Sequence, residues 1–135
     1  MRVTILELLF VDFLNSDVGD YRGSGRREDR LRDPEWVAAF VARWGLGDLG
    51  SPSRAMLAEL VELRAAMQRA AEAAIGGTCP DAADLETINA ALGGTALRRR
   101  LVRDGAAWRL ESIAQRRDWA WAKAEIAASF ADLLA

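Results

Sequence analysis

Carboxylates and guanidiniums carry what chemistry this sequence offers. The chain has no histidine, and its one cysteine is Cys79. Without histidine the ordinary Ser- or Cys-based triad cannot be assembled, and the commonest metal ligand is missing. No GxSxG, P-loop, HExxH or paired-Cys zinc motif is present. These gaps lean against an enzyme and imply no metal and no cofactor. Cys79 stands beside Pro80 in a loop and reads as an inert thiol.

Asp12 and Asn15 interrupt an apolar run. A carboxylate in a buried helix is costly unless paired, and Arg22, Arg26, Arg27 or Arg30 is placed to pair with it. The plainer reading is that Asp12 and Asn15 tie down the following loop. The functional reading is that they line a polar spot in a ligand cavity, with Arg30. Asp12, Asp17, Asp20, Glu28 and Asp29 cluster in sequence, but their spacing matches no calcium loop, so a solvated acidic loop is favoured. The arginines Arg98, Arg99, Arg100, Arg103, Arg109, Arg116 and Arg117 form the sharpest charge feature. Arg99, Arg100 and Arg103 are candidates for an anion site. The alternative is a solvated face paired with Asp104, Glu111 and Asp118. Among five tryptophans, Trp36, Trp44 and Trp119 sit on core stripes, while Trp108 and Trp121 do not. Trp36 and Trp108, with Arg109, are candidate walls of a ligand site. Trp121, two residues from Trp119, is expected to point toward a partner surface.

The elements that position these residues are mostly helices. Val3 to Asn15 reads as a buried helix, and Ser16 to Arg32, rich in glycine and charge, as a long loop. Asp33, Pro34 and Glu35 open a second helix carrying Trp36, Val37, Phe40, Val41 and Trp44. Ser53 to Ile75 is the longest helix, with Leu57, Leu60, Val61, Leu63 and Met67 on its core face. Pro80-Asp81 begins a fourth, with Leu85, Ile88, Asn89 and Leu92 periodic. Asp104-Gly105 between two β-like runs predicts a hairpin. A turn at those two residues would set Leu101 opposite Trp108 and Arg100 opposite Arg109, with Trp108 and Leu110 facing inward. A last helix from about Gln115 to Leu134 carries Trp119, Ala122, Ile126, Phe130 and Leu133. The expected fold is α+β, mainly α: about five helices packed in one domain, 1–135, with one small hairpin.

The chain is 51% hydrophobic and 28% charged, which is globular rather than disordered. Net charge is −2, against a whole-chain affinity for nucleic acid or anionic membrane. The stretch from Arg98 to Lys123 departs from this, with eight basic and three acidic residues. One cysteine fits a reducing cytoplasm. The first apolar run is too short to span a bilayer and is followed by no cleavage site.

The residues also resemble a known family. Leu9-Phe10-Val11-Asp12-Phe13-Leu14-Asn15-Ser16 is similar to the opening of ABATE-domain proteins, bacterial stress-induced transcription regulators that carry a CGNR zinc finger. Asp29 to Glu35, then Trp36, Val37, Phe40, Val41 and Trp44-Gly45-Leu46, follow the family's second motif. Leu63-Arg64-Ala65-Ala66, Ile88-Asn89-Ala90-Ala91-Leu92 and the run Ile126 to Leu134 resemble later segments. The family's finger, a C-x-x-C pair followed by C-G-N-R, has no counterpart before Ala135. The resemblance implies a non-enzymatic regulatory, ligand-sensing domain, with a small, anionic molecule as ligand and no direct DNA binding by this chain itself. The alternative is a protein-interaction or homodimerisation module presenting Trp121 and Leu134, or a small binding protein or enzyme using Asp and Arg.

Overall fold

Side-chain caps fix where the helices begin. In the computed structural model, which describes residues 9–19 and 27–135, Asp33 accepts the Glu35 N–H and Pro34 opens α2, Pro34–Arg43. Ser53 accepts the Met56 N–H at the start of α3, Arg54–Ile75. Asp118 accepts the Trp121 N–H at the start of α5, Trp119–Leu134. The fourth helix, α4, covers Ala82–Leu92. The first, α1, covers Leu9–Leu14; the earlier part of the expected helix lies outside the described residues. Glycine closes α2. Gly45 at φ +62° lets the Leu46 N–H reach the Val41 carbonyl and drops Leu46 into the core.

The helices surround one apolar core. Phe13, Phe40, Leu60, Leu63, Met67, Ile126 and Phe130 are all 2% exposed or less. Phe10 meets Phe130 edge-on at 5.4 Å, and the Ser129 hydroxyl accepts the Phe10 N–H at 3.3 Å, so α1 is tied to α5. Ala122 and Ala127 on α5 are fully buried. The stripe on α4 is turned from the expected one. Asp84, Ile88 and Ala91 face inward, while Leu85 and Asn89 are exposed. Asp84 is accepted there because Arg69 of α3 holds both its oxygens. Leu133 is also exposed, in the last turn of α5.

The expected loop 16–32 has structure at both ends. β1, Asp17–Gly19, pairs antiparallel with β2, Arg27–Asp29, and a 3-10 turn follows over Arg30–Arg32. Asp20, Arg22, Gly23, Gly25 and Arg26 lie outside the described residues.

The hairpin forms, with a corrected turn. β3, Leu97–Asp104, pairs with β4, Ala107–Ala114, through Asp104↔Ala107, Arg103↔Trp108, Val102↔Arg109, Leu101↔Leu110 and Arg100↔Glu111. The two turn residues are Gly105 and Ala106. Gly105 takes φ +62° and no non-glycine residue described has positive φ, so glycine occupies the first central position as a Gly-X hairpin turn requires. Partners move by two residues. Each side chain keeps its expected face but gains a new neighbour: Arg100 meets Glu111 rather than Arg109. A second correction concerns burial. Trp108 and Leu110, expected inward, are 65% and 63% exposed. The last helix starts after Asp118, because the Gln115 N–H is engaged with the Ala96 carbonyl as the end of the ladder. No helix among the described residues is long and apolar enough to cross a membrane.

Candidate functional site

The most constrained polar group in the body is Arg64. It follows Leu63 and sits one turn beyond Leu60 on α3, so its side chain must enter the core, where it is 4% exposed. A buried guanidinium is tolerated only when its donors are satisfied. Asp29 accepts from Nη1 and Nη2 at 2.7 and 2.8 Å, and the Ser16 hydroxyl accepts from Nη1 at 2.9 Å. Ser16 in turn donates to the Phe13 carbonyl at 2.6 Å, while its own carbonyl accepts the Arg30 N–H at 2.8 Å. Asp29 also accepts the Leu31 N–H at 3.1 Å. One guanidinium thereby joins the end of α1, the end of β2 and the middle of α3. Its hydrogen bonds hold the Asp29 carboxyl below the usual carboxylate range; partial burial opposes this and the Arg64 charge reinforces it. Among the described residues, no buried side-chain nitrogen or oxygen lacks a partner.

Beside this clamp lies an apolar cavity of about 10 Å³, walled by Phe13, Leu31, Phe40, Leu57, Trp119 and Ile126 among others. That volume is about enough for one water molecule, and an apolar wall leaves it dry. Leu31 is the wall residue on the short segment that Asp29 anchors. The cavity does not hold a molecule larger than water unless one of its walls moves.

The expected ligand residues fall into two groups. Asp12, Asn15, Arg30 and Trp36 belong to the body. Asp12 is paired, but with α2 rather than with the following loop: Arg43 donates to Oδ2, and so does the Trp44 indole at 2.7 Å. The corrected partner follows from the fold, because the end of α2 reaches α1. Trp36 is half-buried and stacks on Phe40 at 5.1 Å, against the cavity wall. Arg30 and Asn15 are exposed on either side of the clamp in sequence.

Trp108 and Arg109 lie on the hairpin with Arg99, Arg100 and Arg103. Arg103 sits 5.7 Å over the Trp108 ring. Arg100 reaches Glu111 at 3.3 Å, and Arg109 reaches Glu111 at 3.2 Å and Asp104 at 3.7 Å. An anion here competes with Glu111 and Asp104 for the same guanidiniums. Trp121, expected outward, is 8% exposed with Arg117 5.1 Å over its ring, whereas Leu134 is exposed.

Among the described residues no three acids or thiols lie together so as to hold a metal ion. The Arg64–Asp29 pair is the feature that pattern reading missed. The signal was present: an arginine at a core position of α3, and an aspartate just before a short apolar step at Leu31.

No curated protein and no solved structure matches the chain. A family model does, that of the ABATE family, described as "Putative stress-induced transcription regulator", over residues 7–135. With nearly the whole chain matched, and with the clamp residues Ser16, Asp29 and Arg64 all inside the matched span, the chain belongs to the ABATE family.

Proposed function

We propose that the chain is the ligand-sensing, non-enzymatic regulatory domain of a bacterial stress-responsive transcription regulator, working in the cytoplasm. The observation that supports this is the wall of the small apolar cavity. Leu31 is one of its walls, on a segment tied down by the Asp29–Arg64 ion pair and by the hydrogen bond from the Arg30 N–H to the Ser16 carbonyl. A ligand with an apolar body and one anionic group enters by displacing Leu31. Its apolar part lies against Phe13 and Phe40, the latter backed by Trp36, and its anion meets Arg30 or takes the place of Asp29 on Arg64. Asp12 ties α1 to the end of α2 through Arg43 and Trp44, and Asn15 lies exposed just after α1. The end of α1 is joined to α5 through Phe10, Ser129 and Phe130, so α5 is the route by which displacement is passed on.

The test is a thermal-shift screen with amphipathic carboxylates and related small metabolites. A true ligand raises the melting temperature by mass action, by about 2.7 kcal/mol of stability at a hundredfold excess over Kd. Leu31→Phe, whose added volume is of the order of the one-water void, weakens or abolishes the shift for the same compound while the variant still melts cooperatively. A panel without any shift, or a shift unchanged by Leu31→Phe, overturns this reading.

A second reading, an interaction module, is favoured by one observation: the hairpin leaves Leu97, Leu101, Trp108 and Leu110 exposed on one face. Arg99 and Arg103 share that face and suit an acidic or self-complementary partner.

A further inference from the structure

We infer that the free edge of β4 pairs with the same edge of a second copy of this chain, antiparallel and about a two-fold axis at Leu110. This deepens the interaction-module reading and rests on it. An isolated two-stranded ribbon is marginal in water, and three or more strands with an apolar face, or packing against a helix, are needed for independent stability. Among the described residues the β3–β4 sheet has two strands only. Its side chains Leu97, Leu101, Trp108 and Leu110 are 57 to 65% exposed. A second copy supplies the missing strands.

The phase of the ladder shows which main-chain groups are free. The Gln115 N–H donates to the Ala96 carbonyl, and the same alternation runs through Arg98↔Ile113, Arg100↔Glu111, Val102↔Arg109 and Asp104↔Ala107. These are the bonded pairs, so the N–H and C=O groups of Trp108, Leu110 and Ser112 point away from β3, along the outer edge of β4.

The two edges of the ribbon differ in charge. On β3, a two-fold axis at any of residues 98 to 101 sets arginine opposite arginine, because Arg98, Arg99, Arg100 and Arg103 all lie there. Like charges directly opposite are destabilising, and a charged edge resists pairing. On β4, an axis at Leu110 sets Arg109 opposite the second copy's Glu111 and Glu111 opposite its Arg109. Trp108 lies opposite Ser112, and Leu110 opposite itself. An axis one residue either way stacks arginine on arginine or glutamate on glutamate. The sequence Trp108-Arg109-Leu110-Glu111-Ser112 is therefore self-complementary in one central register. The result is a four-stranded sheet, β3-β4-β4-β3. One face has an unbroken row of Leu101 and Leu110 from both copies. The other alternates Val102, Arg109, Glu111 and Arg100 across the axis.

Sedimentation equilibrium on the full chain, from micromolar to millimolar concentration, tests this with paired variants. Wild type forms a reversible dimer. Leu110→Pro removes only the outward N–H of β4 and leaves the β3–β4 bonds in place, so it shifts the chain to monomer. Leu101→Pro makes the equivalent change on the β3 edge and leaves the dimer intact. Arg109→Glu weakens the dimer at least tenfold, and adding Glu111→Arg to it restores association. A dimer insensitive to Leu110→Pro and Arg109→Glu overturns the β4 edge while leaving the interaction module standing. A chain monomeric throughout overturns the pairing of two copies and leaves the interaction module only for a partner other than this chain. If such a monomer shows ribbon amide shifts only with duplex DNA, the face belongs to nucleic acid.

Discussion

The helical body and the ribbon handle the same residue types in opposite ways. In the body, Arg64 and Asp29 are drawn inward and bonded to each other and to Ser16. In the ribbon, Arg99 and Arg103 stay exposed beside Leu101, Trp108 and Leu110. The body has satisfied its polar groups and closed its cavity to about one water, so change there requires breaking something. The ribbon has left apolar area and one self-complementary edge unsatisfied, so change there requires adding something. A region whose described buried polar groups are paired and a region of exposed apolar side chains thus lie in one small chain.

The largest expected effect breaks this contrast from the body side. Asp29→Ala leaves Arg64 buried without its counter-charge, which costs about 3–5 kcal/mol. Arg64→Met costs less, because the Asp29 side chain is 20% exposed and regains some hydration. Trp108→Ala and Leu101→Ala, in the ribbon, stay within about 0.5 kcal/mol in dilute solution because both side chains are already exposed. Thermal denaturation of the four variants ranks them. If a ribbon variant melts as early as Asp29→Ala, the division fails.

Asp12→Ala comes next, at about 2 kcal/mol, since it removes a charge-assisted acceptor from the Trp44 indole and from Arg43. Gly105→Ala follows. The left-handed backbone costs about 1–2 kcal/mol with a side chain, and the loss falls on the ribbon alone, visible as faster amide exchange in β3 and β4 with an unchanged body melting temperature.

Acid sharpens the same contrast. The hydrogen bonds of Arg64 hold Asp29 below the usual carboxylate range, and those of Arg69 do the same for Asp84. A depressed folded value contributes stability that is complete above the unfolded value, about 3.9, and is lost as pH falls below it. The body is therefore expected to be flat in stability at neutral pH and to weaken on acidification below about pH 4. Arg64→Met flattens that loss. The smallest effect has the opposite sign. Burial pushes the Glu125 carboxyl up, with Asp132 adding to this and Arg117 opposing it. A raised carboxylate weakens the fold as pH rises through its folded value. Glu125→Gln should accordingly melt slightly higher than wild type at pH 7, with the difference vanishing in acid.

Much of the helical frame was legible because its signals are local. Asp33 and Ser53 cap, Gly45 stops, and Phe40, Leu60 and Ile126 recur at helical spacing, whereas the cap at Asp118 is not read from the sequence and the last helix is expected too early, at Gln115. The hairpin's existence was equally local, but its register depended on whether Asp104 or Gly105 takes the first central turn position, and only the backbone of glycine decides that. Long-range pairing was not legible. Asp12 finding Trp44, Asp84 turning inward to Arg69, and Asp29 meeting Arg64 across 35 residues all depend on helix packing that no short pattern encodes. Trp121 was misplaced for the same reason: two residues from Trp119 means another face of α5, but α5 is covered on more than one face.

Amide hydrogen exchange of the whole chain at low and high concentration tests the division between body and ribbon most directly. The expected result is concentration-independent protection for α3 and α5, and protection of the Trp108, Leu110 and Ser112 amides that rises with concentration while that of Leu101 and Arg103 on the opposite edge does not. Equal exchange of both edges at every concentration, or protection of α3 that changes along with β4, would contradict it.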